Sequence, residues 1–202
     1  MFKTPEAMLN AFIEAGIIQF GHWIDGGQSP PSPIRLNLEM LPSYPHLLEY
    51  TSHLMTEYAE LQQIQRLVCH QHSLALAICV SLQTGIPLVY ERHNPAGGYS
   101  LVGAYDVGHP TMLIGEVYNS EAQTKNSAIK THAARVGLNI VSELYVIGFG
   151  QDIPSSVQCL ALINTDIIGW WVSQRWITKA QGNAIQRWVE QQQSDRLTHH
   201  QG

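Results

Sequence analysis

The chain has 202 residues, 45% of them hydrophobic and only 13% charged, with a formal net charge of −5. That length suits one domain of ordinary size with a sizeable core. The acidic balance and the lack of any Lys/Arg block exclude a protein that grips nucleic acid through its phosphates, and no run approaches the roughly 18 uninterrupted apolar residues of a membrane span.

The first element, "TPEAMLNAFIEAGIIQFG", reads as a helix. Thr4 can cap it, Pro5 suits its first position, and Met8, Leu9, Phe12 and Ile13 recur on one face until Gly16. A loop, "GGQSPPSP", follows, then "IRLNLEM" alternates like a half-buried strand, and Tyr44 to Ile64 reads as an amphipathic helix starting near Pro45. An apolar strand ends near Cys69, a turn spans His70 to Ser73, a helix closes at Gly85, and "PLVYER" is the next strand. This order is a βαβ unit, so its two strands should be parallel. "AGGYSLVGAYDVGHP" reads as a flexible loop leading into a hairpin.

Strand "TMLIGEVY", helix "QTKNSAIKTHAARVG" and strand "NIVSELYVIGFG" make a second βαβ, giving an open α/β sheet. "SVQCLALIN" is strand-like, Thr165 can cap "DIIGWWVSQRWI", and Thr178 with Gln181 forms a capping box for the last helix. Cys69, Cys79 and Cys159 are odd in number and widely spaced among apolar neighbours, the pattern of buried thiols in a reducing compartment. With no secretory signal pattern at the N-terminus, a cytoplasmic location is expected.

From Ala7 to Gln192 the strings "AGIIQFGHWIDGGQSPPSPIRLNLEM", "PSYPHLLEY", "GIPLVYERHN", "SLVGAYDVGHPTMLIGEV" and "CLALINTDIIGWWVSQRWITKAQGNAIQRWV" fall in an order that resembles the orotate phosphoribosyltransferases. The resemblance implies the type I phosphoribosyltransferase fold: a mainly parallel open sheet flanked by helices, with a small N-terminal hood. Residues 1–192 would form the single domain, the hood being about 1–40 plus the C-terminal strand and helices. Residues 193–202 would be a polar, flexible tail. It further implies a homodimer acting in pyrimidine biosynthesis, with no cofactor beyond magnesium, and that only if phosphoribosyl pyrophosphate (PRPP) is bound.

The same resemblance locates the PRPP site and shows it altered. The family's strand matching Thr111–Val117 ends in two acids for the ribose hydroxyls. Here only Glu116 remains, and Val117 stands in the second place. The phosphate loop, Thr-Thr-Gly-x-Ser-like in the family, reads Ser120, Glu121, Ala122, Gln123, Thr124. A carboxylate about 5 Å from a phosphate costs about 3 kcal/mol per phosphate charge at an effective dielectric near 20, roughly a hundredfold in affinity.

Cations are missing too. Asp25 stands where the hood carries a lysine, His93 follows Arg92 in place of another lysine, and the flexible loop around Gly97 and Gly98 has no base. The arginine expected after the final core strand is absent from "VIGFGQD". These losses imply a pseudoenzyme with a vestigial site at Glu116, Ser120, Glu121, Thr124, Arg92 and His93, acting as a binding, regulatory or assembly protein. The alternative is an active, divergent transferase using Glu116, Arg92, Ser120 and Thr124 with magnesium.

"CHQH", Cys69 to His72, has metal-ligand chemistry but no second close pair to complete a zinc site, so no metal is assigned. No G-x-S-x-G elbow accompanies the serines. Adjacent Trp170 and Trp171 cannot share one helix face, so at least one is expected to lean outward or into an interface with another protein.

Overall fold

The computed structural model describes residues 4–23, 31–94, 98–104, 107–150 and 153–199, with the side chains of 120, 121, 125 and 193–199 outside that description. Helix α1 (Pro5–Glu14) starts as read, the Thr4 hydroxyl accepting from the Ala7 amide. Strand β1 (Ile18–Trp23) then pairs antiparallel with β2 (Ser32–Leu36) as a separate two-stranded sheet. The alternation in "IRLNLEM" carries the strand only to Leu36, because the chain turns at Asn37 into a short 3-10 helix, Leu38–Ser43. Helix α2 (Pro45–Leu61) follows.

The main sheet uses β3 (Arg66–Cys69), β4 (Leu88–His93), β5 (Tyr99–Val102), β6 (Pro110–Tyr118), β7 (Asn139–Phe149) and β8 (Val157–Ile163). Their spatial order is β5-β4-β3-β6-β7-β8. Every neighbouring pair is parallel except β4 with β5, in which His93 faces Tyr99, so the strand after the glycine loop pairs back on the one before it and does not open the hairpin expected beyond the loop. Helix α3 (Leu74–Thr84) joins β3 to β4 and ends where Gly85 turns left-handed at φ 71°, its N–H returning to the Ser81 carbonyl. Helix α4 (Ser120–Arg135) joins β6 to β7.

Strand alternation divides the apolar side chains between two faces. Leu67, Cys69, Met112, Ile114 and Leu144 belong to a large core with α1, α2, α3, the hood and the last two helices. Val68, Val89 and Leu113 belong to a smaller one under Ile129 and Ala133 of α4. Helix α5 (Thr165–Ser173) is capped by Asn164, one residue before Thr165, through its side chain and the Ile167 amide. It stops short of the expected Ile177 because Arg175 takes a left-handed φ of 63° and the Trp176 amide bonds back to Trp171. Thr178 and Gln181 make the expected capping box for α6 (Lys179–His199), whose helical backbone continues into the segment read as a tail. No helix among the described residues is long and apolar enough to cross a membrane.

Candidate functional site

The C-terminal ends of β3, β4 and β6 meet the first turns of α4, the place where parallel sheets open a crevice. The junction there is short. Strand β6 ends at Tyr118, α4 begins at Ser120, and Asn119 alone lies between them. Asn119 caps the helix, its Oδ1 accepting the Ala122 amide at 2.8 Å, and no described residue from 119 to 124 has a positive φ. The segment expected to be a phosphate loop is thus the first turn of a helix, with one of its amides taken by its own cap.

Glu116 lines a cavity of about 140 Å³ here with Gly115, Asn119, Asn126 and Tyr145. Burial, with the Glu39 charge second, pushes its carboxyl up to about 7. The Cys69 thiol is pushed up to about 12, by burial and then by Glu116, which makes it a poor nucleophile.

Beneath this cavity a buried polar chain crosses from β4 to β7 by way of α4. His70 Nδ1 lies 2.8 Å from Glu91 Oε2, and His70 Nε2 lies 2.9 Å from Asn126 Oδ1. Asn126 Nδ2 donates to Glu143 Oε2 at 3.0 Å and to the Tyr145 hydroxyl, which itself donates to Glu143 at 2.7 Å. Lys130 closes the chain on Glu143 Oε1, and His132 Nδ1 stands 3.5 Å from Glu91 Oε1. Because the Asn126 amide nitrogen is committed to Glu143 and Tyr145, its oxygen faces His70, so His70 Nε2 carries a proton and Nδ1 shares one with Glu91. Burial, then the negative Glu143, holds the Tyr145 hydroxyl far above the usual tyrosine range.

A second cavity, of about 350 Å³, opens between the β4–β5 hairpin and α4. It takes in His93 and Thr124 from the expected site. Arg92 is exposed and lines neither cavity. Asp25 and Gly97 lie outside the described residues, as do the side chains of Ser120 and Glu121, while Gly98 enters β5 with φ 83°. His70 and His72 stack with their rings 8° from parallel, and among the described residues no group of three or more His, Cys, Asp or Glu gathers as a metal site. Trp171 is fully buried edge-to-face against Phe20, so any outward role falls to the half-buried Trp170.

Glu91, Asn126, Glu143 and Tyr145 are absent from the residues singled out in the sequence. A signal for Glu91 existed: two residues from Val89 on the same strand, it must share the face that α4 covers. Asn126 likewise shares a helix face with Ile129 and Ala133.

The sequence matches no family model and no curated protein. Solved structures do resemble it. UMP synthase of Leishmania donovani superposes with a TM-score of 0.74 at 20% identity, over 92% of this chain and 42% of that one. Orotate phosphoribosyltransferase of Francisella tularensis gives 0.66 at 13% identity, over 95% and 98% of the two chains. The fold is that of the type I phosphoribosyltransferases. Adenine phosphoribosyltransferase of Thermoanaerobacter pseudethanolicus shares it more distantly, with a TM-score of 0.52 at 7% identity over 74% of this chain and 97% of that one. This chain spans less than half of the UMP synthase, and at these identities the likeness concerns architecture.

Proposed function

We propose that this chain is an orotate phosphoribosyltransferase-like protein that has lost the transferase reaction and serves as a cytoplasmic, homodimeric binding or regulatory protein. The observation that carries this reading is the one-residue junction at Asn119, where a cap side chain occupies an N-terminal amide of α4 that a 5′-phosphate would need. Supporting it, the described residues lining the two cavities include Glu91 and Glu116 but no lysine or arginine. Pyrophosphate departure needs positive charge at the leaving oxygens. A magnesium ion fits poorly as well, because Glu116 lacks a neighbouring acid at Val117 and its own carboxyl holds a proton up to about pH 7.

Calorimetry with PRPP and magnesium, paired with an assay for orotidine monophosphate, tests the reading. Flat heats to millimolar PRPP and no product are expected. Product formation would make the chain an active, divergent orotate phosphoribosyltransferase instead.

A further inference from the structure

Helix α3 carries two apolar stripes. Leu76, Ala77 and Val80 are buried in the large core. On the opposite side Ala75, Ile78, Cys79 and Leu82 follow at the i, i+3, i+4, i+7 spacing that gathers side chains on one face. This second stripe is open: Ile78 is 42% exposed and Leu82 79%, with Ala75 and Cys79 half-buried between them. A helix that is apolar on both sides is built to be covered on both sides.

Charge indicates what covers the open side. Of the six described α-helices, α3 alone contains no Asp, Glu, Lys or Arg. A partner with a charged docking face would find nothing here to pair with and would lose the hydration of its own charges. A two-fold contact asks for this composition, because residues at the axis meet their own copies and any charge there would face its like. The stripe also fits itself. Its large residues, Ile78 and Leu82, alternate with the small Ala75 and Cys79. When two copies cross antiparallel about an axis between residues 78 and 79, Leu82 lies on the partner's Ala75 and Ile78 on the partner's Cys79, so each ridge meets a hollow.

We propose that the outer stripe of α3 is the subunit contact of this protein, covered by the same stripe of a second copy in that antiparallel register. The inference rests on the homodimeric part of the reading above and gives it a location. It also ties assembly to the candidate site, since the turn that opens α3 contributes His72 to both cavities.

Sedimentation equilibrium of the full chain is the test. Wild type should be a dimer at micromolar concentration. Leu82→Glu, at a position open to solvent in the single chain, should keep its circular dichroism and weaken the dimer by at least about a hundredfold, because symmetry counts the loss twice. The register has its own check. Leu82→Ala and Ala75→Leu should each weaken the dimer about tenfold, and the double variant, which exchanges large for small across the axis, should recover most of the loss. Should Ala75→Leu fail to fold, Leu82→Glu and Ile78→Glu, both at exposed positions, still decide the location. A wild-type chain that stays monomeric at submillimolar concentration, a dimer untouched by Leu82→Glu, or additive losses in the double variant would overturn the proposal. The turnover assay is independent: orotidine monophosphate would overturn the loss of catalysis and leave this contact standing, whereas a monomeric wild type would do the reverse.

Discussion

Tyr145 of β7 lies across Gly115 of β6, so near that a methyl group on residue 115 would stand 2.5 Å from the tyrosine Cδ1 and closer still to Cε1. The glycine is there for the ring, and the ring is there for its hydroxyl, which completes the buried chain through Asn126 and Glu143. Gly115→Ala should therefore destabilise the protein by about 2–3 kcal/mol. In a Tyr145→Leu background the same change should cost far less. A double-mutant cycle by urea denaturation measures that coupling, and additive losses would show that the two positions do not compete for space.

Asn126 is the hinge of the polar chain: it is 3% exposed and joins His70 to both Glu143 and Tyr145. Asn126→Ala leaves a buried imidazole N–H and a buried carboxylate short of partners, a loss of about 3 kcal/mol. Asn126→Asp should be no better, since it places a third carboxyl beside Glu91 and Glu143. A denaturation midpoint equal to wild type for either variant would mean that water replaces the amide without cost.

Glu116 predicts a pH dependence with a definite sign. Its carboxyl titrates near 4.5 in the unfolded chain and near 7 in the folded one, so between those values the folded state holds more protons. Stability must then fall as pH rises through that window, by about 3 kcal/mol in all. Glu116→Gln removes the term: the variant should match wild type at the acid end and exceed it by about 2–3 kcal/mol at about pH 8. Denaturation curves at a series of pH values would show the gap opening, whereas a gap constant with pH would place the carboxyl in water.

The two adjacent tryptophans should separate cleanly. Trp171→Ala empties a fully buried site against Phe20 and should cost about 3–5 kcal/mol, while Trp170→Ala, at a half-buried position, should cost about half as much. Sedimentation velocity on Trp170→Ala reads the remaining question: a shift from dimer to monomer places this residue in a subunit interface, and an unchanged boundary removes it from one.

The sheet was legible because its strands are long apolar runs and its crossover helices end in clear stops such as Gly85. Most of strand β1 was read as the end of the first helix, but α1 stops at Glu14, because Gly16 turns left-handed at φ 70° and releases Ile18–Trp23 as a strand. The displaced cap of α5 was an error of choice between neighbouring polar residues: Asn164 precedes Thr165, and which one caps depends on where the preceding strand releases the chain. Reading α4 from Gln123 left an apparent loop at residues 119–122 where the chain makes a helical turn. The polar chain was out of reach for another reason. Its members come from β4, the turn before α3, α4 and β7, and only the pairing of the sheet brings them together.

The contact between Phe20 and Trp171 also sets a timetable. The hood strands leave the ribosome early, yet the aromatic surface they pack on belongs to α5, and α6 meets β2 as well. Such distant segments must wait for one another, and closing so long a loop slows the step further. Until translation reaches α5, Phe20 lacks its Trp171 partner, so the hood completes its packing only with the C-terminal helices.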